Sequence, residues 1–307
     1  MSSRAAASAN PILTNYAQGL MQDRTSALAE FLAPTVLVPA TIGHYKKYDD
    51  KNLYQALDTA RAVGGTAKRI EFDASDPTYN CKPQALEVTI DDSERDAEGA
   101  PILLEQAKTT VLVNTAVLSH EDKVLTAVKA GVAAVADADR GKWSSADIDP
   151  IDQIDEQINA IASATGMLPN RICMGLGAWY LLRRNPKVKA RVAGVKVAGF
   201  SYQDFAACLL NPAIEMRVGV LVKDAKKFPA GKSASPIAGD ECFIFYASAQ
   251  PSTYDPSFAK TFMGGRGGVD SVRMYRDDQA RSDVLALDWS VDVQVVATGM
   301  VRRLTIS

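Results

Sequence analysis

The sequence is poor in the residues on which most protein chemistry depends. Among its 307 residues are two histidines, His44 and His120, far apart in the chain. Neither sits in a pattern with a serine or cysteine nucleophile, so no catalytic base is assigned. The four cysteines, Cys81, Cys173, Cys208 and Cys242, are widely spaced and include no Cys-x-x-Cys pair. That excludes the common zinc frameworks and reads as free thiols in a reducing compartment. No apolar run approaches ~18 residues, which excludes a membrane-spanning helix. The first residues carry no apolar stretch of a secretory leader. Net charge is also lacking: 34 Lys and Arg stand against 36 Asp and Glu, a balance of −2, which excludes a globally basic nucleic-acid binder.

What remains is ordinary globular composition. Hydrophobic residues make up 47% and charged residues 23%, too apolar for intrinsic disorder. No internal repeat and no long βαβ succession is visible, so the pattern predicts an α+β fold. A helix is predicted from Leu13 to Phe31, ending before Pro34. An extended stretch rich in β-branched residues follows, through Thr35, Val36 and Val38 to Ile42. From Gly43 to about Asp92 the chain reads as a long hairpin with strand-like pieces at Thr66 to Asp73 and Gln84 to Ile90. It has little core of its own and must lean on something else. Pro101 opens a helix to about Leu118. Ser119, followed by Glu121 and Asp122, reads as the N-cap of a second helix ending near Gly131. Asp149-Pro150 opens a further helix with an Ile151, Ile154, Ile158, Ile161 stripe, stopped by Gly166. A strand at Arg171 to Met174, a helix from Leu176 to Arg184 and a helix from Ser201 to about Leu210 come next. The remainder is strand-rich: 214 to 222, 242 to 247, and 291 to 306 with a break at Thr298-Gly299.

Three local motifs suggest chemistry and fail on inspection. Ala230-Gly231-Lys232-Ser233 lacks the first glycine of a phosphate loop, where Lys226 stands instead. Asp147, Asp149, Asp152, Asp155 and Glu156 lack calcium-loop spacing and read as charges at a helix start. Gly264 to Gly268, interrupted by Arg266, reads as a glycine-rich turn, with an anion nest as the alternative. Charge is segregated within the neutral chain. Arg183, Arg184, Lys187, Lys189, Arg191 and Lys196 form a run without acids, whereas 87–98 and 137–156 are acidic. Three readings stay open: a nucleic-acid patch, acidic and basic segments meeting between copies, or solvated faces.

Several segments, in order, resemble the major capsid proteins of tailed bacteriophages of the Hong Kong 97 type. They are NRICMGLGAWYLLRRNPKVKARV at 170–192, EMRVGVLVKDA at 215–225 and GDECFIFYASAQPSTYDPSFAKTF at 239–262. FLAPTVLV at 31–38 is similar to the family's arm, and DTARAVGG at 58–65 to its hairpin. Pro101 to Val135 falls where the family's spine helix and its successor belong. The resemblance implies an α+β capsid fold with an N-terminal arm at 1–40 and an extended hairpin, the E-loop, at 41–92. It also implies a peripheral domain at 93–149 and 284–307 and an axial domain at 150–283.

The implied function is structural: a coat subunit forming hexamers and pentamers in an icosahedral shell around double-stranded DNA, which it contacts non-specifically. A portal and a scaffolding protein are implied as partners; with only about 40 residues before the hairpin the scaffold is either separate or already lost from this chain, and Met1 favours a separate one. Synthesis in the host cytoplasm and residence in the virion follow. No catalytic, cofactor or metal site is expected. The family's covalent crosslinking is not expected either, because none of Lys46, Lys47, Lys51 and Lys68 matches its crosslinking lysine. The same fold also serves encapsulin-like nanocompartments, the nearest alternative. An α+β enzyme using the Gly264 to Gly268 loop is the remoter one.

Overall fold

The structure is a computed structural model that describes residues 8–22, 27–48, 59–61, 63–65, 74–98, 101–135, 142–193, 201–224, 231, 233–264 and 271–306. Its strands form two principal sheets joined by one long helix. The N-terminal elements are β1 (Ser8–Ala9), α1 (Pro11–Gln22), α2 (Ala29–Leu32) and β2 (Thr35–Val38). Short paired strands follow: β3 (Ile42–His44) with β6 (Thr78–Asn80), and β4 (Lys47–Tyr48) with β5 (Ala74–Ser75). Then come β7 (Lys82–Asp91), α3 (Asp92–Glu98), α4 (Pro101–Gly131) and α5 (Pro150–Thr165). The second half holds β8 (Arg171–Gly175), α6 (Leu176–Arg184), α7 (Pro186–Ala193), α8 (Tyr202–Ala206), β9 (Glu215–Gly219), β10 (Val222–Asp224) and β11 (Ala234–Pro236). It ends with β12 (Glu241–Phe245), β13 (Ala259–Gly264), β14 (Ser271–Asp277), β15 (Ser282–Val295) and β16 (Val301–Thr305).

The first sheet is organised by β15. One edge pairs antiparallel with β7 over ten residues, from Ser282 opposite Asp91 to Val291 opposite Lys82. Its other edge pairs with β14 and then with β13, whose far side takes β2 in parallel. Leu285, Leu287, Trp289 and Val291 pack against Leu104, Leu112, Val113 and Ala116 of α4 and against Leu13 and Ala17 of α1. Asn10 Oδ1 accepts from the backbone N–H groups of Ile12 and Leu13, satisfying donors that a helix start leaves open.

The second sheet runs β16-β12-β8-β9, and strand alternation sends side chains to two buried faces. Ile172, Met174, Cys242 and Ile244 join Ile151, Ile154, Ile158 and Ile161 of α5 on one face. Cys173, Phe243 and Phe245 join Val124, Leu125, Val128 and Val132 of α4 on the other. Each fully buried isoleucine of the α5 stripe contributes about 1.5–3 kcal/mol relative to exposure. This helix is terminated as its sequence predicts: Asp149 Oδ1 accepts from Ile151 N at 3.0 Å, and Gly166 closes the end at φ +66°.

Several expectations are corrected. There is no helix break at Ser119: α4 is one helix of 31 residues, about 46 Å long. Between Pro101 and Gly131 it contains no proline or glycine, and its buried positions 113, 116, 124 and 128 stay in helical phase. Strand β7 pairs along β15 from Lys82 to Asp91. Strands β13 and β14 join β15 in the first sheet, whereas β16 pairs with β12 in the second. The 3₁₀ turn Thr298–Met300, at the expected break, carries the chain between them. The first predicted helix is two helices, and the one after Ser201 stops at Ala206. The predicted strand at Thr66 to Asp73 lies outside the described residues.

Candidate functional site: the exposed faces and the junction of the two sheets

The described part of the hairpin is rooted on the first sheet. Tyr45 and Tyr79 stack on Phe262 of β13, with ring centroids 5.2 and 4.8 Å apart. Gly43 lies beneath the Tyr79 ring, where a Cβ would come within 2.3 Å of the phenol oxygen, so the register of β3 against β6 requires glycine. Beyond this root, Ile42 is 63% exposed, and Val63 beside the Gly64 turn is fully exposed. Further apolar side chains face outward at Ile102, Leu103 and Val111 of α4, and at Leu176, Tyr180, Tyr202 and Leu210 around α6 and α8.

The segregated charges meet partly within one copy. Arg191 reaches Asp149 Oδ2 at 2.9 Å and Asp152 Oδ1 at 2.7 Å, and Lys187 donates to the Asp147 carbonyl. In the acidic stretch, Arg276 makes two 2.5 Å hydrogen bonds to Asp92, Arg95 pairs with Asp283, and Lys108 pairs with Glu94. The Asp cluster is thus spent on a helix cap, on Arg191 and on the Leu210 N–H, which Asp155 accepts at 2.8 Å. Among the described residues no group of three or more His, Cys, Asp or Glu could hold a metal ion. Lys46 pairs with Asp76 at 2.6 Å, while Lys51 and Lys68 lie outside the described residues, as do Lys232 and 265–268 of the glycine-rich loop. Among the described residues no helix is long and apolar enough to cross a membrane. All four cysteines are free thiols.

The junction of the two sheets carries polar groups that sequence reasoning missed. Glu121, 1% exposed, turns from α4 to accept the Leu28 N–H at 2.8 and 3.0 Å and the Ala29 N–H at 2.7 Å. It anchors the start of α2 instead of capping its own helix. Burial raises its pKa against the lowering effect of those hydrogen bonds. Arg303 of β16 holds Glu241 of β12 and donates to the Lys129 and Val132 carbonyls at 2.9 and 3.1 Å, closing the end of α4. Asn185, buried before Pro186, donates to the carbonyls of Trp143, Ser145 and Ile148 at 3.0–3.1 Å. That gives the Asn-Pro-x-Val segment a physical role, fixing the loop that enters α5. Lys260, fully buried on β13, donates to the Asp255 carbonyl at 2.7 Å and pairs with Asp255 Oδ1 at 2.9 Å.

His44 Nδ1 lies 3.2 Å from the Asp76 carbonyl at the hairpin root. His120 lines a cleft between α4 and the first sheet.

Neither a sequence-family description nor a characterised protein matches the chain by sequence. Solved structures do. A phage-related protein from Bordetella bronchiseptica is 23% identical, with a TM-score of 0.76 and 97% of each chain covered. The mature capsid of bacteriophage PhiM1 is 12% identical, with a TM-score of 0.53, covering 92% of this chain and 88% of that one. The holo-SrpI encapsulin complex from Synechococcus elongatus is 11% identical, with a TM-score of 0.55, covering 92% and 89%. Likeness over nearly the whole chain, with the long helix packed against both sheets, identifies the architecture. The chain has the Hong Kong 97-type capsid fold.

Proposed function

We propose that the protein is the major capsid subunit of a tailed phage, assembling as hexamers and pentamers into an icosahedral shell around double-stranded DNA. The observation that carries this reading is the fold likeness over 97% of this chain and 97% of a phage-related protein. The outward apolar side chains support it, because a subunit in a closed shell covers such surfaces with its neighbours. In this reading the first sheet with α1 and α4 is the peripheral domain. The second sheet with α5 to α8 is the axial domain, and the hairpin through β3 to β6 is the E-loop. We assign the protein no catalytic role. A separate scaffold and a portal act as partners, DNA is touched non-specifically, and the subunit passes from the host cytoplasm into the virion.

The test is electron microscopy of the purified protein, alone and with the scaffold encoded beside it. Closed shells or ring-shaped capsomers are expected. A homogeneous monomer under every condition overturns the reading. The encapsulin-like alternative is favoured by one observation, the 0.55 TM-score to a cyanobacterial encapsulin, and its signature is co-purified protein cargo instead of DNA. Mature particles are expected to run as monomers on a denaturing gel; a ladder of covalent oligomers contradicts that.

A further inference from the structure

Two helices present outward rows of equal length. On α6 the row is Leu176, Tyr180 and Arg184, and its first two members are 50% and 56% exposed. On the first half of α4 it is Leu103, Ala107 and Val111, also exposed. A spacing of four keeps such side chains on one helix face, here over about 12 Å. The α6 row is held in place before any partner arrives: Arg184 Nη1 donates to the Tyr180 hydroxyl at 2.7 Å, and its guanidinium lies 5.2 Å from the ring centroid. The centre of this row is a large side chain, whereas the centre of the α4 row is an alanine. Charge distinguishes the rows as well. Arg184, at the C-terminal end of α6, has no acid partner among the described residues, and neither has Lys189 on α7. Helix α3 packs along the start of α4 through the Arg95–Glu105 and Lys108–Glu94 pairs. Its Asp92 is held by Arg276, but the exposed Asp96 has no cation partner among the described residues.

We infer that these rows dock on each other between copies: α6 of one subunit lies antiparallel on the first half of α4 of the next, with Tyr180 over Ala107. The direction follows from charge. It brings the basic end of α6 to the acidic start of α4, sets Leu176 beside Val111 and opposes the two helix dipoles. A large side chain over a small one lets the helices approach, as ridges enter grooves. The rows cannot meet within one copy, because α6 packs with α5 on the face of the second sheet turned away from α4. The two surfaces differ, so the contact is heterologous and repeats head to tail, closing into rings where the rotation allows. It rests on the shell reading and names one of the surfaces that build the shell.

The test is oxidation of the full chain carrying Y180C and A107C together, assembled with the scaffold encoded beside it and run on a non-reducing denaturing gel. A ladder of covalent oligomers is expected, with none from Y180C or A107C alone, which sets aside the native Cys208. A disulfide needs Cβ atoms roughly 4 Å apart, so a second pair, Y180C with V111C, samples the next turn. Shells visible by electron microscopy without a ladder from either pair overturn the contact and leave the shell reading standing. A monomer under every condition overturns both. Independently, R184E is expected to raise the protein concentration needed for assembly about tenfold, and D96R added to it to recover most of that loss. R184E that assembles like the wild type overturns the contact; if its shells also retain less double-stranded DNA, the row belongs to DNA instead.

Discussion

Arg303 donates from Nε and one terminal nitrogen to the two carboxylate oxygens of Glu241, at 3.1 and 2.9 Å. Its remaining terminal nitrogen donates to the Lys129 and Val132 carbonyls. One guanidinium thus ties adjacent strands of the second sheet to the C-terminal end of the long helix. The Arg303 and Glu241 side chains are only 18% and 13% exposed. R303A leaves a largely buried carboxylate and two carbonyls without this donor, with an expected loss of about 3 kcal/mol in urea unfolding. R303K is expected to recover little, since an ammonium cannot reproduce the fork. The Arg276–Asp92 pair has equally good geometry but is 36% and 45% exposed. R276A is therefore expected to cost far less than R303A in the same measurement.

Lys260 and Asp255 form the most buried ion pair among the described residues, 0% and 7% exposed. D255A strands an ammonium and removes an acceptor for Ser252 N, Ser257 N and Ser257 Oγ. A loss of roughly 3–5 kcal/mol is expected. K260M, which removes the charge and keeps the apolar stem, is expected to rescue part of D255A in the double variant, measured by thermal unfolding. Burial raises the Asp255 pKa, but hydrogen bonds from Ser257, Lys260 and Ser252 outweigh it and the net shift is downward. Its contribution is complete above the unfolded carboxylate pKa of 3.8 and fades as pH falls through the lower folded value.

Two glycines near the start of α6 are expected to behave differently. A Cβ on Gly175 would lie 1.7 Å from the Gly239 carbonyl oxygen, which is backbone, so G175A is expected to give no soluble subunit. A Cβ on Gly177 would lie 1.8 Å from Asp240 Oδ1, the end of a side chain that can rotate away. G177A is expected to fold with a lowered melting temperature, and D240A to relieve it.

Thiol labelling separates the cysteines. Burial raises the pKa of Cys173 and pushes Cys242 up to about 12, while Cys81 is raised by burial and then by Asp292. Cys208 alone is half-buried. In the native, unassembled subunit at neutral pH a polar disulfide reagent is expected to label Cys208 promptly, and the other three only after denaturation.

The elements that could be read from sequence are those whose signals are local. Asp149, Pro150, four isoleucines and Gly166 define α5 completely, alternation marks β9, and a short apolar run marks β12. Ser119 misled because a capping pattern describes three or four residues, whereas helix continuity was settled by Val124, Leu125 and Val128 packing on a sheet formed much later in the chain. Likewise β7 was recognisable as a strand from Leu86, Val88 and Ile90, but nothing in that stretch names β15 as its partner. The Arg303 clamp depends on register: Phe243, two residues beyond Glu241, faces Arg303, which puts the charges on a diagonal no sequence pattern records. Asn185 was visible as part of a motif, without its reason. The exposed apolar side chains were legible only as a deficit of core in the hairpin.

The first sheet draws β1, β2 and β7 from the N-terminal third and β13, β14 and β15 from residues beyond 258. During synthesis, the arm and the hairpin therefore emerge from the ribosome long before the strands that pair with them. Contacts this distant in sequence slow folding and leave early segments exposed while they wait. The second sheet with α5 contains no strand from before Arg171, yet even it stays incomplete until β16 arrives. Neither half of the molecule closes before residue 295 has been translated, so nascent chains stay adhesive until late.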